Sequence, residues 1–547
     1  MNITIKITKM RLALIFILIF FLVIGWLVKR SHPVVAPIVK NIWMTTKILL
    51  NGEKNYIEEQ MKPEYATGAS TSGKDARIIE TSVLPLQLRS IWLGASGTFP
   101  SGAGALTVAE GQLLILDRFG GIYVFRDEKL ERLNYGEFPN RLREYLLNSK
   151  NPSLNSAFMR AYSIAYDKTA SRIYVGYTKF VNSEANRFAI SAIPVNKVTL
   201  EATGKWETIF ESQNFSSKLP SHGGGGKILI NKNKLYFSIG YYNVDGFPGE
   251  NLINGKLVLP AQDNKSQSGK IFEIDLQTKI AKMKSWGHRN VQGLTMTESG
   301  SLLATEHGPQ GGDEVNLIED GQNYGWPFQS HGTRYGTYDF DWPEGSVPDN
   351  QRIIDPVYAF VPSIGISPIH SIVNFHKRWE GDLLVGSLKA QSLFRLKFKD
   401  GRIIFSEPIW IGHRIRDMAE MQQKIVLLTD DSYLIVLTVE GDLLKKNSKN
   451  AGYNFKPKIN RCLMCHHFEQ STPSSLAPSL SNILDRKIAT DSFTKYSDAL
   501  RSKSGKWDRE NLTRYIANPS SFAPGTTMPS LGLSQSEVKE IVEIISQ

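Results

Sequence analysis

The chain has two cysteines, and both fall in one run, Cys462-Leu463-Met464-Cys465-His466. Two thiols spaced by two residues and followed at once by a histidine form the pattern for covalent attachment of a c-type haem. Each thiol can make a thioether to a haem vinyl group, and the imidazole of His466 then lies where it can ligate the iron. A bare C-x-x-C pair is shared with redox dithiols and with half of a zinc site. No second cysteine pair exists to complete a thiolate zinc site, so a redox dithiol is the competing reading.

Downstream, Ala477-Pro478-Ser479-Leu480, Tyr496-Ser497-Asp498-Ala499-Leu500, Trp507, Asn518-Pro519 and Pro524-Gly525-Thr526-Thr527-Met528-Pro529 follow in order. With them, residues 455–547 resemble a class I mono-haem cytochrome c domain. The resemblance implies one covalent haem c with Met528 as the sixth iron ligand opposite His466. Paired Met/His ligation raises the reduction potential and suits electron transfer. Ser534 and Glu537 have the spacing of a capping box, and Val538, Ile541, Val542 and Ile545 repeat at helical spacing behind it.

A second set of chemically able residues lies upstream. Gly287-His288-Arg289-Asn290 and Gly293-Leu294 lead to Glu306-His307-Gly308-Pro309-Gln310-Gly311-Gly312-Asp313-Glu314-Val315-Asn316 and Asn323-Tyr324-Gly325-Trp326-Pro327. Gly386-Ser387-Leu388-Lys389, Arg414-Ile415-Arg416-Asp417 and Leu428-Thr429-Asp430 follow. This ordered set resembles the quinoprotein glucose/sorbosone dehydrogenase family, whose six-bladed propellers hold pyrroloquinoline quinone (PQQ) and calcium and oxidise sugars. PQQ carries carboxylates, so its site needs fixed cations, and arginine forks suit them. The resemblance implies that Lys389, Arg414 and Arg416 bind PQQ and that Arg289 and Asn290 contact it. It implies further that the backbone carbonyls of Gly308 and Pro309 bind calcium, a hard cation suited by oxygen ligands.

His222, in Ser221-His222-Gly223-Gly224-Gly225-Gly226-Lys227, stands near the family's general base, which takes the proton from the sugar hydroxyl. Three departures from the family pattern surround it. The glycine run is one residue longer. Gly240-Tyr241-Tyr242 stands where relatives place an Asp oriented towards the base, with Asp245 nearby. Phe158-Met159-Arg160-Ala161-Tyr162-Ser163 stands where many relatives carry a Gln-Gly-Gly-Leu-Leu-Gly-like stretch whose polar side chain touches the cofactor.

Such loops need a scaffold, and the pattern between residues 90 and 445 is β. At six places a turn leads into a short apolar strand: Gln112–Asp117, Arg172–Gly176, Lys234–Ser238, Ser301–Thr305, Asp382–Gly386 and Lys424–Thr429. Further strands follow, among them Gly121–Phe125, Gly269–Ile274 and Ser392–Leu396. Units of several dozen residues recurring in this way predict propeller blades, and six units predict six blades around a channel. A β-sandwich is the alternative. The expected fold is mainly β, a six-bladed β-propeller over 90–445 followed by a small all-α cytochrome c domain over 455–547. Residues 31–88 read as linker.

Leu12 to Val28 is an unbroken apolar run with Lys6, Lys9 and Arg11 before it and Lys29 and Arg30 after it. No small-x-small cleavage site follows, so residues 12–28 are expected to be an uncleaved transmembrane helix. Covalent haem attachment, by family resemblance, takes place outside the cytoplasmic membrane. The expected location is therefore single-pass in that membrane, with the bulk of the chain in the periplasm. The 547 residues carry a formal charge of +11, but the basic residues are scattered, which disfavours nucleic acid as a partner. Together these readings predict an enzyme that oxidises a sugar or alcohol with PQQ and calcium. It would pass electrons one at a time to its own haem c and on to an acceptor of a respiratory chain. The alternative is a non-catalytic propeller that binds a ligand or partner while the haem shuttles electrons.

Overall fold

In the computed structural model, the described residues are 77–93, 104–127, 129–148, 159–217, 223–242, 252–253, 256–257, 259–333, 352–439, 462, 466, 477–490, 493, 496–528, 530–531 and 533–546. Six mainly antiparallel sheets, and one separate two-stranded hairpin, succeed one another along the chain between residues 77 and 439. Their first strands are Gly104–Ala109 (blade 1), Ala161–Asp167 (blade 2), Gly225–Asn231 (blade 3), Val291–Met296 (blade 4), Ile366–Ser371 (blade 5) and Ile415–Met421 (blade 6). Each of these packs against the next, and the strand of blade 6 packs against that of blade 1. They are the inner strands of a closed six-bladed ring.

All six turn-and-strand units foreseen in the sequence are second strands, one per blade. They lie in Gln112–Asp117, Arg172–Asn182, Lys234–Ile239, Leu302–Glu306, Leu383–Ser387 and Lys424–Thr429. A second strand is covered by neighbouring blades on both faces, which explains the uninterrupted runs such as Leu113 to Leu116 and Leu383 to Val385, all buried. Tight hairpins join first to second strand. At Glu110-Gly111 and Gln422-Gln423 both central residues have positive φ, the backbone whose twist matches the flanking strands.

The ring is closed by residues read above as linker. Pro85–Trp92 pairs with Tyr433–Val439 from Leu86↔Val439 to Trp92↔Tyr433, and Arg77–Glu80 pairs with Pro85–Trp92 at the outer edge. The propeller therefore begins before residue 90, and blade 6 is built from both ends of it. Leu86 and Leu88 bury their side chains in the same apolar cluster as Ile425, Leu427, Ile435 and Leu437.

The C-terminal part is helical, with helices Asp498–Arg501, Arg509–Ala517, Pro519–Phe522 and Gln535–Ile545. The expected capping box is present at Ser534 and Glu537, and Val538, Ile541, Val542 and Ile545 are the buried stripe of the last helix. Among the described residues no helix is long and apolar enough to cross a membrane. The expected anchor, Leu12 to Val28, lies outside the described residues.

Candidate functional site

Because first and second strands are antiparallel, the start of each first strand and the end of each second strand share one rim of the ring. That rim collects Arg160, Gly223 to Gly226, Asn290, Arg414 and Arg416 from strand starts. From strand ends it collects Arg118, Tyr241, Gly308, Lys389 and Asp430. Residues scattered over 300 positions of sequence are thus neighbours of one channel mouth. His222 and Phe158 lie outside the described residues.

At blade 6, Arg414 Nε donates to Asp430 Oδ2 at 2.9 Å, and Arg416 Nε donates to Asp430 Oδ1 at 2.7 Å. Burial pushes the Asp430 carboxyl up, but the Arg416 and Arg414 guanidiniums outweigh it and hold the group below its ordinary value. Two cations share one anion there. Lys389 is exposed at the end of the blade 5 second strand, where Arg414 Nη1 also reaches Leu388 O at 3.4 Å. The three residues predicted to clamp carboxylates are thus on one side of the mouth.

Arg289 stands just before the inner strand of blade 4, Val291–Met296. Its guanidinium is flanked by the rings of Tyr241 (4.7 Å to the centroid) and Trp326 (5.1 Å). It donates through Nη1 to the carbonyls of His307 (3.1 Å) and Gly308 (2.8 Å). The Gly308 carbonyl, expected to ligate calcium, is therefore engaged by a guanidinium. The neighbouring carboxylate Asp313 is taken up by Gly308 N, Ser363 Oγ and Ile366 N. Among the described residues no cluster of three or more His, Cys, Asp or Glu side chains is placed to hold a metal. A cation at this position would share the Gly308 carbonyl with Arg289.

The motif residues behind Arg289 have structural duties that the sequence did not disclose. His288 is fully buried, with Nδ1 2.8 Å from Glu306 Oε2 and Nε2 2.8 Å from Ser285 Oγ, and it stacks on Tyr324 at 4.6 Å. Both ring nitrogens are engaged, so this imidazole orients and is not a base. Glu306 also accepts from the Arg289 backbone N–H. Asn290 Oδ1 accepts from Gly225 N (3.1 Å) and Gln292 Nε2 (2.8 Å), tying the glycine run beside His222 to the Arg289 loop.

Two of the departures prove to be coupled. A Cβ on Gly226 (φ +88°) would lie 2.3 Å from the Tyr162 ring. The Tyr162 ring therefore occupies space that a side chain at Gly226 would need. Tyr241, in place of the expected Asp, caps Arg289. One ion pair was not foreseen at all. Lys227 of blade 3 and Asp417 of blade 6 meet at 2.7 Å, and Asp417 Oδ2 also accepts from Leu106 N of blade 1. Blades 3 and 6 are opposite members of the ring, so this pair spans the channel below the mouth. Only side-chain charge signalled it in the sequence.

In the helical part, Cys462, His466 and Met528 line one apolar cavity with Leu480, Trp507 and Tyr515. Its volume is about 150 Å³. His466 Nδ1 lies 2.8 Å from the carbonyl of Pro478. A carbonyl can only accept, so Nδ1 carries the proton and the lone pair of the neutral ring is on Nε2. Thiol, imidazole and thioether around one apolar cavity fit a haem c. Cys465 lies outside the described residues.

Ring and rim define a propeller of the quinoprotein sugar dehydrogenase class, and the second cavity defines an attached cytochrome c-like domain. The glucose / sorbosone dehydrogenase family matches residues 104–436, and the chain belongs to that family. The aldose sugar dehydrogenase of Escherichia coli (strain K12) is 31% identical over 242 residues, 42% of this chain and 61% of that protein. A cytochrome c homolog of Rickettsia prowazekii (strain Madrid E) is 38% identical over 104 residues, 19% of this chain and 57% of that protein. The chain spans about three-fifths of the length of the curated relatives matched along the propeller. The fold is that of the soluble aldose sugar dehydrogenase from Escherichia coli in its apo form. The TM-score is 0.53 at 20% identity, covering 65% of this chain and 100% of that one.

Proposed function

We propose that the propeller oxidises a sugar or alcohol with PQQ held at its cationic rim, and that haem c in the helical domain removes the electrons. The observation that carries this is the pair Arg414 and Arg416 sharing the single carboxylate of Asp430, which leaves the rim positive and suited to a polyanion. When bound, PQQ supplies a two-electron acceptor and haem c a one-electron relay. Arg414, Arg416 and Lys389 bind the carboxylates. Arg289, held between two aromatic rings, and Asn290 would contact PQQ from blade 4. His222 would take the proton of the substrate hydroxyl. Asn290 steadies the glycine run next to it.

The proposal extends to location: residues 12–28 anchor the chain in the cytoplasmic membrane, and the propeller and haem domain work in the periplasm beside a respiratory acceptor. The test is reconstitution. Haem-loaded protein free of PQQ is titrated with PQQ, with and without calcium, then given sugars while haem reduction is followed by absorbance. Stoichiometric binding and sugar-dependent reduction are expected. A protein that binds no PQQ would instead be a ligand-binding propeller with a cytochrome attached.

A further inference from the structure

We propose that Arg160 is a specificity-determining residue of the rim: its guanidinium binds a carboxylate of the ligand from the blade 2 side, facing the arginines of blade 6. The proposal rests on the PQQ reading above and adds to the clamp a cation that the family resemblance does not supply. Arg160 lies inside the stretch that departs from the family pattern, immediately before the inner strand Ala161–Asp167. It therefore stands at the same rim as Arg414, Arg416 and Asn290.

Its backbone is fixed. Thr178 N donates to Arg160 O at 2.8 Å, and the next residue, Ala161, donates to Arg118 O of blade 1 at 2.8 Å. Its side chain is 8% exposed, and Nε is buried with no hydrogen-bond partner among the described residues. The guanidinium lies 5.6 Å from the Tyr162 ring, and no carboxylate among the described residues forms an ion pair with it. Burying an unpaired guanidinium is costly.

The charges around it do not relieve that cost. Burial first, and then Arg416, push its pKa down to about 10, against the opposing pull of Tyr162 and Asp430. Asp430 is already shared between Arg414 and Arg416. Among the described residues, cations thus converge from blades 2 and 6 on one aspartate. A carboxylate accepting a bidentate fork is the chemistry that satisfies such a site. A neutral sugar hydroxyl would leave the excess charge in place.

The test compares PQQ with its trimethyl ester, which keeps the ring system and lacks the charges. Parent and Arg160→Gln apoproteins are titrated with each, reading the quenching of intrinsic fluorescence. The parent is expected to prefer the acid. Arg160→Gln should lose about tenfold or more in affinity for the acid and little for the ester, so that the preference collapses. Equal losses for both ligands, with a lowered melting temperature, would assign Arg160 to structure and overturn the proposal. Should Arg160→Gln not fold, Arg160→Lys is read by the same ratio, with an intermediate preference expected and an unchanged one overturning it. A parent that binds neither compound removes the quinone reading and the proposal with it. A parent that binds the acid no more tightly than Arg160→Gln does removes the arginine alone.

Discussion

Asp430 holds two guanidiniums, and its carboxyl pKa is lowered by them despite burial. A depressed carboxylate adds stability above the pKa it has in the unfolded chain, about 3.9, and that stability is lost as pH falls through the folded value. Asp430→Asn should therefore flatten the acid limb of a melting-temperature profile below about pH 4 while also loosening Arg414 and Arg416. Arg416→Ala should weaken PQQ binding by about tenfold to more than a hundredfold, the weight of a charge-assisted hydrogen bond. His222→Ala should separate from it: binding is retained while sugar-driven haem reduction drops by roughly a hundredfold or more. In the haem domain, Met528→Ala should abolish a sulfur-to-iron absorption band without releasing the haem. At this scale the sequence motifs named Lys389, Arg414 and Arg416, which the fold brings to one side of the mouth. It did not show that His288 and Glu306 serve Arg289, because a motif records which residues recur and not which atom faces which. Arg160 was visible as a departure, and only its burial gave it meaning.

Strands explain which parts were legible. The six second strands are covered on both faces, so they appear as apolar runs between turns, a local signal. Pro85–Trp92 is different: it alternates, with Leu86 and Leu88 buried and much of the remainder half-buried, and its partner lies at the far end of the propeller sequence. No local window contains that pairing, which is why the segment read as linker. Lys227 and Asp417 escaped for the same reason, being brought together only by ring closure. Their pair gives a sharp expectation for the blades. Lys227→Met should cost about 3–5 kcal/mol in chemical denaturation, since it leaves Asp417 buried and uncompensated. Adding Asp417→Asn should recover part of the loss, because the stranded charge is then gone. Equal denaturation midpoints for parent and Lys227→Met would show that the pair holds nothing.

With a propeller and a cytochrome c-like domain on one chain, the proposed electron transfer is a property of the single molecule. The half-time of haem reduction after sugar is added should stay constant on tenfold dilution, because the tether fixes the local haem concentration at about the millimolar level. A half-time that lengthens in proportion to dilution would mean that haem is reduced by another copy. Blade 6, made from the first and last strands of the ring, also dictates when this molecule becomes itself. Its contacts are among the least local in the chain, and folding slows as such contacts dominate. On a chain emerging from its N-terminus, Pro85–Trp92 must wait as an unpaired edge until Tyr433–Val439 exists. That interval is the aggregation-exposed stage of its biogenesis. Moving the chain ends to the Asp400-Gly401 turn would join the closing strands early and should raise the yield of refolded protein.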